Sequence, residues 1–114
     1  MEAKEIADNF GISYIVLYED SPNYIVFTNA NAIKLIEKLR EECLPVRFME
    51  VSEEDGKGGF KFSCCWDCPL ESKETMRMYV KRSCDEAVKY INKISVVDDK
   101  CLYEIFVFDF EYEA

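Results

Sequence analysis

"VRFMEVSEEDGKGGFKFSC", residues 46–64, holds two runs rich in β-branched and aromatic residues, 46–52 and 60–64, on either side of a polar loop with three glycines. Such runs favour strands, and the glycines supply the positive φ angles of a tight connection, so the stretch predicts a β-hairpin. On its N-terminal side, Asn29 or Asn31 is placed to cap a helix running to about Cys43. There Ala32, Ile36, Leu39 and Cys43 fall on one side at about 100° per residue, before Pro45 stops the helix. On its C-terminal side, a helix from a Ser72 cap to Ile94 carries Met76, Val80, Cys84, Ala87, Ile91 and Ile94 as one apolar stripe.

Further out, "ISYIVLY" (12–18) and "NYIVFT" (23–28) predict a second hairpin around the turn residues 19–23. Residues Glu2 to Phe10 predict a short helix closed by Gly11. "CLYEIFVFDFEYE" (101–113) predicts a long strand, apolar on both faces from Ile105 to Phe108, as a central strand covered on both sides would be. The order α-β-β-α-β-β-α-β predicts a single α+β domain over residues 1–114. Its expected form is a mainly antiparallel sheet of about five strands with two main helices on one face. Without the first helix and strand the remainder is β-α-β-β-α-β, the order of ferredoxin-like domains.

Composition limits what such a domain does. Hydrophobic residues make up 49% of the 114 and aromatics 14%, enough for a buried core. The 23 acidic residues outweigh the 14 basic ones for a formal charge of −9, and there is no His. That field repels nucleic acid and anionic membranes and attracts basic partners. Without His, no Ser/His/Asp or Cys/His catalytic arrangement can be assembled, so a non-enzyme is expected. "GKGG" lacks the spacing of a phosphate loop. The opening "MEAKEIADNFG" has no apolar core of a signal peptide, and no run is long and apolar enough to span a bilayer, so a cytoplasmic protein is expected.

In that compartment six cysteines favour free thiols, metal ligands or redox groups over a disulfide framework. Cys43 and Cys84 fall in helix stripes, and Cys64 shares the parity of Phe60 and Phe62 on the presumed core face. Cys65 and Cys68 are separated by two residues where a strand gives way to a helix. Three readings stand: plain packing, a thiol-disulfide pair, or zinc held by Cys65 and Cys68 with Cys64 as a third ligand. No cofactor is otherwise expected.

The last strand suggests a partner surface. Asp109, Glu111 and Glu113 continue one face while Phe110 and Tyr112 continue the other, and aromatics beside charge are what interface hot spots are built from. Glu53, Glu54 and Asp55 form a second acidic group. Together these point to a small acidic binding protein with a basic or nucleic-acid-binding protein partner, such as a nucleic-acid-handling host enzyme. In general character the chain resembles the phage-encoded inhibitors of host defence, anti-CRISPR proteins among them. Homodimerisation through an exposed strand is the simpler use of the same edge.

Overall fold

The computed structural model describes residues 2–108. It contains α1 (Ala3–Phe10), β1 (Ile15–Val16), β2 (Ile25–Val26), α2 (Asn29–Glu41), β3 (Val46–Glu54), β4 (Phe60–Asp67), α3 (Met76–Val97) and β5 (Leu102–Val107). The α+β class and the element order follow the sequence reading. The five strands, however, divide into a three-stranded antiparallel sheet ordered β4-β3-β5 and a two-stranded β1-β2 ladder. The two meet at a single bridge, where Phe27 and Tyr103 exchange backbone hydrogen bonds of 2.8 and 2.9 Å.

A ferredoxin-like order would set β2 between β4 and β5; here β3 holds the centre instead. The cause is the length of β2. Two successive turns, Ser21 N–H to the Tyr18 carbonyl and Tyr24 N–H to the Ser21 carbonyl, consume the residues that would have extended the first hairpin. A two-residue strand cannot fill the middle of a sheet, whereas β3 has nine residues and pairs on both edges.

Helix ends also move. Thr28 caps α2, accepting from Asn31 N–H at 3.4 Å, and Thr75 caps α3, accepting from Met78 N–H at 3.1 Å. Ser72 cannot begin the helix because Lys73 is left-handed at φ 69°. Cys43 lies past the end of α2, left-handed at φ 56° and exposed rather than in the buried stripe.

Helices α2 and α3 pack on one face of the three-stranded sheet. Leu35, Ile36 and Leu39 from α2 and Cys84, Ala87 and Ile91 from α3 meet Met49, Val51, Tyr103 and Ile105 from the strands. Ser83 of α3 accepts the Val46 N–H at 3.0 Å, tying the start of β3 to the helix. A bulge shifts the β3–β4 register between Val51 and Ser52, leaving Ser63 as the extra residue. That residue reverses the parity of β4. Phe60 and Phe62, expected in the core, therefore belong to the face away from the helices, while Cys64 and Trp66 face inward.

Candidate functional site

The cysteine motif is dispersed by the strand that carries it. β4 continues to Asp67, so Cys64 and Cys65 point to opposite sides. Cys64 turns inward, with its sulfur 3.1 Å from the Tyr90 hydroxyl. Burial, then Cys64, pushes the Tyr90 phenol upward. Cys65 is exposed on the outer face, opposite Glu50. Cys68 is buried beyond the strand end: its N–H donates to the Arg47 carbonyl at 3.0 Å and its carbonyl accepts from the Tyr79 hydroxyl at 2.6 Å.

The Cys68 sulfur accepts from Arg82 Nη1 at 3.0 Å, yet burial outweighs that cation and raises the thiol's pKa. Arg82 also donates to the Pro69 carbonyl at 2.8 Å and to both Glu74 carboxylate oxygens at 2.7 Å. The hydrogen bonds from Arg82 lower the Glu74 carboxyl to about 2. This is a clamp that closes residues 68–74 onto α3, and it occupies Arg82. All six cysteines are free, and among the described residues no three His, Cys, Asp or Glu side chains converge as metal ligands. Cys64, Cys65 and Cys68 are thus not brought together.

The acidic hairpin tip has internal duties. Asp55 Oδ1 accepts from Lys57 N–H at 2.7 Å and Gly59 N–H at 3.1 Å, and these bonds hold its carboxyl below the usual range. They close a turn in which Gly56 (φ 78°) and Gly58 (φ 85°) need the left-handed region. Glu53 lies 3.8 Å from Lys61, and Glu54 is exposed. Asp109, Phe110, Glu111, Tyr112 and Glu113 lie outside the described residues.

The outer face of the three-stranded sheet carries no helix among the described residues. Its side chains align in cross-strand rows. One row is Asp67, Phe48 and Phe106; the next is Cys65, Glu50 and Glu104; a third begins with Phe62 and Ser52. The Phe48 and Phe106 rings are 5.4 Å apart, Phe106 is 40% exposed, and Phe62 is 61% exposed. Arg47 pairs with Asp67 at one end of the face. At the other side Tyr24, in edge contact with Tyr18 at 5.5 Å, borders the two glutamates.

Glu50 and Glu104 are direct partners across β3 and β5, both half-buried. Burial, then the neighbouring Glu50 charge, pushes the Glu104 carboxyl up to about 7. No Lys or Arg of the described residues pairs with either one. The sequence reading missed this pair, and it took β5 to be a central strand covered on both faces, whereas β5 lies at the edge of the three-stranded sheet and, among the described residues, helices cover one face. The alternation Phe48-Glu50-Ser52 and Glu104-Phe106 was the available signal.

A family model described as Immunity protein 40 matches residues 11–108. No curated protein and no solved structure matches the chain. The matched residues include β1 to β5 and every residue of the outer face named above, whereas α1 and residues 109–113 lie outside them.

Proposed function

The chain belongs to the Immunity protein 40 family, and from that premise we propose that it neutralises a toxin by binding it in the cytoplasm, without catalysis, and that the toxin is a basic, nucleic-acid-handling enzyme. The family match over residues 11–108 carries the reading. It favours a toxin as the protein partner over the defence enzyme that an anti-CRISPR-like inhibitor would meet. The choice of a basic toxin rests on the −9 charge and on a sheet face where two half-buried carboxyl groups, Glu50 and Glu104, have no cationic partner among the described residues. An enzyme that grips phosphates presents a positive groove, and an acidic surface competes for it and is steered to it over a distance.

The test is co-expression. Bacteria carrying the cognate toxin under an inducible promoter should stop growing alone and grow normally with this chain. Growth arrest despite soluble, folded chain would refute the immunity reading. Full protection from a toxin whose surface is acidic would refute the charge argument while leaving immunity intact.

A further inference from the structure

We propose that the helix-free sheet face is where the toxin docks, with one of its Arg or Lys side chains received between Glu50 and Glu104 and flanked by Phe48, Phe106 and Phe62. This rests on the immunity reading above and names the surface and the chemistry of the contact. Like charges directly opposite across two strands destabilise a sheet, and partial burial adds to the cost. A hydrogen bond between the two carboxyl groups relieves this in part, and no cation of the described residues offsets the rest. A cation arriving from outside would, and the aromatic rows on the same face supply the apolar contact and ring faces that favour Arg in particular.

A second copy of this chain fits the face poorly. A two-fold contact places the same patch on both sides, so four carboxylates would meet with the aromatics between them. The acidic turn at Asp55 is a weaker candidate because its carboxylate already holds the turn together.

Two measurements test the proposal. In the first, N-acetylarginine amide is titrated into 15N-labelled chain. The largest amide shifts should fall on Phe48, Glu50, Cys65, Glu104 and Phe106, and vanish in Glu50→Gln/Glu104→Gln; shifts spread evenly over the acidic surface would overturn it. In the second, calorimetry compares catalytically inactivated toxin binding to wild type, to Glu50→Gln/Glu104→Gln, and to Glu42→Gln/Glu86→Gln, which removes two exposed carboxylates elsewhere. The face variant should bind at least about tenfold more weakly and the control within about threefold. Equal losses, or no loss, would overturn the docking site while leaving toxin binding in place. No binding by folded wild type would instead remove the immunity reading, and this proposal with it. A wild-type dimer that Phe62→Glu converts to monomer would assign the face to a second copy and also overturn it.

Discussion

Exchanging Glu104 for Gln should flatten the pH dependence of folding stability. Glu104 is opposed by Glu50 on β3, with Cys65 beyond it on β4 and Tyr24 beside the pair, and no cation faces it among the described residues. Its carboxyl rises from 4.5 to about 7 in the folded chain. A folded state that holds a proton more tightly than the unfolded chain gains stability that is complete below the unfolded value. That contribution is lost as pH climbs through the folded one. At about 1.4 kcal/mol per unit the shift corresponds to roughly 3 kcal/mol, and to about 2 after allowing for the solvent that still reaches the half-buried carboxyl.

The assay is urea denaturation at about pH 5, 6.5 and 8, followed through Trp66, the only tryptophan and half-buried beside Tyr90. The chain has no His to titrate in that window, which removes the commonest competing contribution. Wild type should lose about 2 kcal/mol from the acid to the alkaline end, and Glu104→Gln should lose little and be the more stable at pH 8. Parallel pH profiles for the two proteins would refute the reasoning.

Cys68→Ser should lower stability by about 1–2 kcal/mol, because it replaces a buried sulfur, whereas Cys65→Ser on the exposed face should stay within about 0.5 kcal/mol. Thermal melts with elemental analysis check this, and stoichiometric zinc lost together with stability in Cys65→Ser would contradict it. Arg82→Met should remove the hydrogen bonds to Cys68, Pro69 and Glu74 at a cost of about 2 kcal/mol, with hydrogen exchange accelerating at residues 68–75. Thr75→Ala should cost about 1 kcal/mol by denaturation, and Ser72→Ala almost nothing, since the cap is Thr75.

The parts of the fold legible in the sequence are those set by local periodicity. Ile36 and Leu39 on α2, and Cys84, Ala87 and Ile91 on α3, lie in the core because their spacing puts them on one helical face. Non-local features were hidden. One extra residue at Ser63 reverses the faces of Phe60 and Phe62, and nothing in the run "FKFSC" marks it. The left-handed Lys73 moved the helix start from Ser72 to Thr75, two hydroxyl residues equally able to cap. The Glu50–Glu104 pair joins residues more than fifty positions apart, so its existence depends on β3–β5 register rather than on either run. The acidic character was visible in composition, and the inhibitory reading drew on it together with the acidic and aromatic residues of the last strand and a general likeness to phage-encoded inhibitors, while the proposal of a toxin as partner came only from the family match.

The most direct test of the central claim is a titration of toxin activity with purified chain. A binding inhibitor predicts activity falling in proportion to added chain, ending near one chain per toxin and returning when the complex is dissociated. Activity untouched by an excess of folded chain, or destroyed by a small fraction of an equivalent, would contradict it.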